Sequence, residues 1–458
     1  MKIITSVNPG NNYEVIGEVE ATEKKEVAQK VSLANEAKNE WGRLPISERV
    51  KIVNKLHEAF RSREEEIGNC ISKEVGTPIN ESKEEVRWDR GYAEWFLNNA
   101  HQALSDEILF EDATQIHKIV YEPVGSVAVI TPWNLPYDMF IWGVIPNLLA
   151  GNTVIYKAAE ECVLTGKLFE DIADSAGLPS GVLSFVHGDA EEGNVLVHEP
   201  VDMIWFTGSS TVGKELFALA GKKFIRSVME MGGSNPAIIF DDADIDTLLS
   251  TVLFKRFSFC GQTCDAVKRV IIHESRYEEF VKRFSKKILE LTVGRPEDES
   301  TQLGPLVSKK QLDLLLSQVD DARAKGATII IGGVAPENLK GAYLLPTLIG
   351  NVTTSMRVWH EEVFGPVLSI VSYKTEEEAV TLANDTEYGL GALLFTKDLS
   401  RIERLSKTLQ AGNIDVNGCG HFKPYVPFGG YKSSGMGREH GVAGFRELCQ
   451  IKTVSIKK

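Results

Sequence analysis

Met203-Ile204-Trp205-Phe206-Thr207-Gly208-Ser209-Ser210-Thr211-Val212-Gly213 decides the fold class. A short apolar run passes through a glycine turn into a segment of helical spacing. Uninterrupted apolar runs suit parallel strands covered on both faces. A glycine turn between such a strand and a helix N-terminus aims backbone N–H groups and the positive end of the helix dipole at an anion. Ser209 either adds a hydroxyl donor to a pyrophosphate there or only caps the helix. Upstream, 116–121 reads as an exposed strand, 124–130 as a buried one, 152–156 as another, and 164–176 as a helix ended by Gly177 and Pro179. Further strands fall at 182–186 and 224–229. This alternation predicts a doubly wound parallel sheet over 120–230. It restarts after Gly233, with strands at 236–240 and 269–272 and helices at 246–259 and 277–291, which predicts a second α/β domain over about 232–425. Residues 22–104 read as helical, with Val50, Val53, Leu56 and Phe60 on one face. Residues 451–456 alternate like an edge strand, and an open edge invites pairing with another subunit.

The 458 residues exceed one small core, and 43% are apolar, enough for a sizeable one. The net charge of −14 argues against nucleic acid or an anionic membrane as partner. No apolar run is long enough to span a bilayer, and the first residues carry no signal-peptide pattern, so a cytoplasmic protein is expected. The cysteines, Cys70, Cys162, Cys260, Cys264, Cys419 and Cys449, are scattered without a C-x-x-C pair, and no metal is predicted.

Six stretches carry candidate chemistry. In Phe259-Cys260-Gly261-Gln262-Thr263-Cys264-Asp265, between a helix and a strand, Cys264 is either a small buried hydrophobe or a nucleophile. A nucleophile would need a partly exposed, electropositive setting to hold the thiolate. Glu230, just before Gly232-Gly233, is either a strand-end turn residue or a base that the glycines let approach a reacting carbonyl. Asn134, in the proline-stiffened loop Thr131-Pro132-Trp133-Asn134-Leu135-Pro136, either forms the turn locally or donates to an oxyanion, an effect of about 3 kcal/mol. Lys157 and Glu160 at a strand tip are surface charges, or a pair whose carboxylate accepts ribose hydroxyls and repels a 2′-phosphate. Glu362 and Phe364 lie beside a turn. The glycine-rich 427–439 is either a loop closely approached by other backbone or a phosphate cradle, the latter without a strand–helix context.

In chain order, TPWNLP, the Lys157…Glu160 pair, FTGSSTVG, EMGG, GQTC, EEVFGP and PFGGYKSSGMGRE cover almost the whole length. With this set the chain resembles the NAD(P)-dependent aldehyde dehydrogenase superfamily. The resemblance implies an aldehyde dehydrogenase-like α/β fold of two doubly wound parallel-sheet domains plus an oligomerisation β-arm. The NAD(P)-binding domain would take 1–106 and 124–231, the catalytic domain 232–425, and the arm 107–123 and 442–458, giving a homodimer or homotetramer. It implies Cys264 as nucleophile, Glu230 as general base, and Asn134 with the Cys264 N–H as oxyanion hole. Cofactor contacts would come from Thr131, Pro132 and Trp133; from Lys157, Glu160 and Gly188; from Phe206, Thr207, Gly208, Ser209 and Val212; and from Met231, Gly232, Glu362 and Phe364. Glu160 favours NAD, with NADP possible. Met139, Trp142, Thr263, Asp265, Phe422 and Phe428 would line the aldehyde tunnel. Relatives acting on succinate semialdehyde often carry an arginine where this chain has Trp142, so an uncharged aliphatic or aromatic aldehyde is expected. A succinate-semialdehyde-type activity is the alternative, and a non-catalytic protein on the same fold the rival from another class. Three departures stand out: an expected lack of the N-terminal hairpin, Gly143 where many relatives carry lysine, and one extra residue between Gly188 and Gly193.

Overall fold

The computed structural model describes residues 2–458. Its first large sheet has the order Gly435–Met436, Arg226–Met231, Met203–Gly208, Ser126–Ile130, Thr153–Lys157, Leu183–Phe185. Five strands are parallel, and Gly435–Met436 joins antiparallel to Arg226–Met231. The chain order reverses between Ser126–Ile130 and Met203–Gly208, which opens a crevice beyond their carboxyl ends. Both predicted loops, 131–136 and 207–213, emerge there.

The second sheet has the order Thr328–Ile331, Thr347–Gly350, Val367–Tyr373, Val267–His273, Asn235–Ile239, Gly391–Phe395, Asn413–Val416. Only Thr328–Ile331 is antiparallel. Glu230 sits at the carboxyl end of one sheet, and Asn235–Ile239 starts the next a few residues on, so the chain crosses directly from one sheet to the other.

Four helices, Lys24–Arg43, Ile46–Arg61, Glu64–Val75 and Ile79–Ala103, fill the 22–104 region as expected. They pack with the wholly buried helix Pro136–Ala150 into one core. That helix is apolar all round, as a helix enclosed by others must be. Gly143 lies within it, and a Cβ there would meet Val129 and Trp205 at 2.7 and 2.9 Å. The lysine of many relatives therefore has no room without movement.

An N-terminal hairpin is present, against expectation. Ile3–Asn8 pairs antiparallel with Glu14–Glu20. Its pattern is hard to read because, of the buried strand positions, only Ile4 and Val19 are apolar, packing against Val163, while Ser6 and Asn8 bury polar side chains. A third sheet runs Cys449–Lys457, Gln115–Pro123, Glu107–Glu111. The C-terminal strand is at its edge as predicted, paired over Gln115–Pro123. Ile108, Leu109 and Phe110 on the outer strand are exposed. Among the described residues, no helix is long and apolar enough to cross a membrane.

Candidate active site

The helix Ile245–Phe257 ends in a sharp kink. Phe259, Cys260 and Gly261 all take left-handed backbone angles, φ 52°, 55° and 68°. Such a run is costly for residues with a Cβ and persists only where the surroundings hold it. Here they do. The buried Arg256 guanidinium donates to the carbonyls of Val267, at 3.2 Å, and of Gly261. Glu81 accepts the Phe259 N–H at 2.8 Å, and the Gln262 side chain accepts the Val307 N–H at 3.0 Å. At Gly261 a Cβ would lie 2.6 Å from the Gly365 carbonyl oxygen. The kink sends the two cysteines apart. Cys260 is buried with its thiol toward the Gly304 carbonyl, and Cys264 is half-buried on a cavity wall.

That cavity holds about 760 Å3. It brings together Cys264, Glu230 and Asn134 with Pro132, Trp133, Thr207, Gly208, Ser209, Gly232, Glu362 and Phe364. Met139, Trp142, Asp265 and Phe422 line it as well. Thr263 and Phe428, expected in the tunnel wall, do not. Thr263 turns its carbonyl to Lys268, and Phe428 is buried behind Phe422 and Trp142, with ring centroids 4.9 and 6.3 Å away.

Other predicted contacts lie around the cavity rather than on it. Thr131 donates its hydroxyl to Tyr156 at 2.9 Å. Phe206 and Met231 are buried, packed under Gly208 and Gly213. Lys157 is buried, not a surface charge, and its ammonium donates to the Ala158 carbonyl. Glu160 lines a neighbouring cavity of about 330 Å3, which shares Glu161, Val307 and Ser308 with the first. Gly188 precedes a helix whose N-terminus is closed by reciprocal bonds of Asp189 and Glu192. Ser209 does cap the helix Ser210–Lys223, accepting the Val212 N–H at 3.4 Å, while Val212 itself is exposed. A capping hydroxyl keeps its own proton to donate, so the two readings of Ser209 are compatible.

The glycine-rich stretch is a loop closely approached by backbone. Gly435 pairs with Glu230, and a Cβ there would lie 2.1 Å from the Met229 carbonyl oxygen. Ser434 donates to the Gly232 carbonyl at 2.7 Å. The stretch therefore fixes the strand end that carries Glu230.

Cys264 and Glu230 line the same cavity, close enough for each to perturb the other. Burial, then Glu230 and Asp265, push the thiol well above its ordinary value, and only Lys268 is a cation acting the other way. The electropositive setting expected for this cysteine is thus reversed, because carboxylates outnumber cations around it. Burial and Glu439 likewise lift Glu230 well above the carboxylate range. Both groups are thus held toward their neutral forms. Asn134 spends one side-chain N–H on the Gln262 carbonyl at 2.9 Å. The Cys264 backbone N–H meets no protein acceptor among the described residues. Asn134 and Cys264 line the same cavity.

Sequence reasoning missed three participants. Lys268, fully buried, binds the Thr263 and Cys264 carbonyls and Glu362. Lys255 pairs with Asp265 at 2.9 Å and lies over the Phe422 ring. Glu439, itself lifted to about 8 by burial, faces Glu230. The signal for Lys268 was its place: a lysine at the start of a buried strand, four residues after a candidate nucleophile.

The aldehyde dehydrogenase family model matches residues 1–454. A peroxisomal aminoaldehyde dehydrogenase of Pisum sativum is 37% identical over 465 residues, covering 99% of this chain and 92% of that one. A mitochondrial succinate-semialdehyde dehydrogenase of Oryza sativa subsp. japonica is 36% identical over 455 residues, covering 99% and 86%. A betaine aldehyde dehydrogenase of Staphylococcus aureus, solved in complex with NAD+, superposes with a TM-score of 0.94 at 31% identity, over 99% of this chain and 92% of that one. An NADP dependent enzyme of E. coli reaches 0.95 at 31% identity, over 100% and 95%.

Proposed function

Because this chain belongs to the aldehyde dehydrogenase family, we propose that it oxidises an aldehyde to the carboxylic acid with NAD+, Cys264 being the nucleophile. The observation that carries this is the meeting of Cys264, Glu230 and Asn134 around one cavity with Trp133, Ser209, Glu362 and Phe364. The donor set fits a dinucleotide. The capped helix N-terminus at Ser209 and Ser210 suits a pyrophosphate, and the carboxylates of Glu362 and Glu160 suit ribose hydroxyls. Glu160 and Glu161 together disfavour a 2′-phosphate, so NAD is preferred and NADP possible.

The bound nicotinamide supplies the hydride acceptor. Glu230 takes the Cys264 proton, and the thiolate adds to the aldehyde carbon. The second N–H of Asn134 and the Cys264 N–H stabilise the tetrahedral oxyanion. Loss of hydride leaves a thioester on Cys264. Glu230 then releases that proton to solvent, takes one from the water that attacks the thioester and passes it to the departing sulfur, which frees the acid and restores the thiol.

An uncharged aliphatic or aromatic aldehyde suits the wall best. Met139, Trp142 and Phe422 are apolar, and the charge of Asp265 is already met by Lys255. A succinate-semialdehyde-type activity is the second reading, favoured only by the lysine behind Phe422. The arm of 107–123 and 442–458, with its exposed apolar strand, would join a homodimer or homotetramer.

Absorbance at 340 nm with hexanal, benzaldehyde, succinate semialdehyde and 4-aminobutanal tests the reading. The highest kcat/KM is expected for an uncharged member. No aldehyde-dependent reduction of NAD+ or NADP+ across the panel would return the rival, a non-catalytic role.

A further inference from the structure

Lys268 sits inside the strand Val267–His273 with its side chain wholly buried. A buried ammonium is costly unless all three of its protons find acceptors. Here each does. Its Nζ donates to the Thr263 carbonyl at 3.2 Å, to the Cys264 carbonyl at 2.6 Å and to Glu362 Oε1 at 2.9 Å. The same Glu362 oxygen accepts the Gly233 N–H at 3.0 Å, and Glu362 also faces the cavity.

In a trans peptide the C=O and N–H point in opposite directions, and there is no cis bond among the described residues. The Thr263 carbonyl is drawn toward Lys268, so the N–H of the following residue, Cys264, points away from it. The Cys264 carbonyl, held by the same ammonium, fixes the other side of the nucleophile's backbone. A buried salt link that only filled space would not need to grip both of these carbonyls.

We infer that Lys268 is a positioning residue: it aims the Cys264 N–H into the cavity, and its third bond makes that aim depend on the carboxylate, Glu362, that faces the cofactor. The inference rests on the reading of Cys264 as nucleophile. When Glu362 turns to ribose hydroxyls, its hold on the ammonium changes, and the change reaches the nucleophile through two carbonyls. Lys268 is also the cation nearest in influence to the thiol, opposing Glu230 and Asp265.

The test uses the full-length enzyme. Lys268→Met and Lys268→Arg are compared with the parent for kcat, KM and the pH dependence of iodoacetamide alkylation, the modified residue being identified by peptide mass. Lys268→Met is expected to lose about 100-fold in kcat with little change in aldehyde KM, and to shift the alkylation midpoint to higher pH. Lys268→Arg, which keeps the charge, should hold the midpoint and recover part of kcat. A folded Lys268→Met with parental kcat and midpoint overturns the inference. If Lys268→Met does not fold, Glu362→Gln decides. Alkylation is measured with and without NAD+ at concentrations that saturate each protein, as read by tryptophan fluorescence. NAD+ should change the rate in the parent and not in Glu362→Gln, and an equal change in both overturns the coupling. Alkylation and inactivation tracking a residue other than Cys264 would instead remove the parent reading, which separates the two failures.

Discussion

The side-chain amide of Asn134 donates to the carbonyl oxygen of Gln262 across 2.9 Å, joining a loop that leaves the first sheet to the loop that carries Cys264 in the second. The bond spans 128 positions of sequence. It holds the amide plane so that its remaining N–H faces the cavity. Asn134→Ala should therefore lower kcat by about 10²–10³-fold, the loss typical of an oxyanion donor, with a smaller change in KM. Steady-state kinetics would show it. A loss below about tenfold would leave Asn134 as a tether alone.

Cys264 forms the thioester, while Glu230 is needed at its hydrolysis as well, and their variants should separate accordingly. Cys264→Ala should abolish turnover while retaining NAD+ binding, read by fluorescence quenching. Glu230→Gln should slow deacylation. Stopped-flow absorbance should then record any fast NADH release as a burst stoichiometric with sites, followed by a much slower steady state. An unchanged steady-state rate would remove Glu230 from the mechanism.

Burial and the neighbouring Glu439 lift Glu230, and Glu439 itself lies at about 8. Log kcat/KM should therefore rise with pH from neutrality into the alkaline range. Glu439→Gln removes a negative neighbour, so Glu230 ionises more easily and the rising limb should move to lower pH. A limb that stays or moves upward would show that another group governs it.

Glu85 is buried, accepts the Tyr137 N–H at 2.9 Å, and is pushed up to about 8. Its folded value thus exceeds the ordinary carboxylate value of about 4.3. Its contribution to stability is complete below that lower value and is lost as pH rises through about 8. Glu85→Gln keeps the acceptor oxygen but cannot ionise. The fall in Tm between mildly acidic and mildly alkaline buffer should shrink by about 1–2 °C or more in differential scanning fluorimetry. An unchanged fall would assign the pH dependence to other buried acids.

Glu160 and Glu161 stand together beside the second cavity. Glu160→Gln should raise kcat/KM for NADP+ relative to NAD+ by about tenfold, since removing one charge near a 2′-phosphate is worth roughly a pKa unit of interaction. Measuring both cofactors at one ionic strength checks it, and an unaltered ratio would place the 2′ position elsewhere.

The strands and helices followed from local pattern alone. Apolar runs such as 203–206 and 236–240 have one use, as parallel strands covered on both faces, and glycine or proline marked where they stop. The candidates Cys264, Glu230 and Asn134 were legible because each is a reactive side chain at the end of an element. The hairpin of Ile3–Asn8 and Glu14–Glu20 was not, because two of the three buried positions of its first strand are the polar Ser6 and Asn8. Thr263 was misplaced as a cavity-lining residue because a left-handed kink, held by contacts from Glu81, Val307 and Gly365 far away in sequence, redirects the chain just before it, and Phe428 because it packs behind Phe422 and Trp142. The charge around the thiol was also beyond reach. Sequence names which residues can ionise, but the field at Cys264 is set by distance and burial, which fall only when two sheets meet and enclose Glu230, Asp265, Glu439 and Lys268 in one water-poor volume.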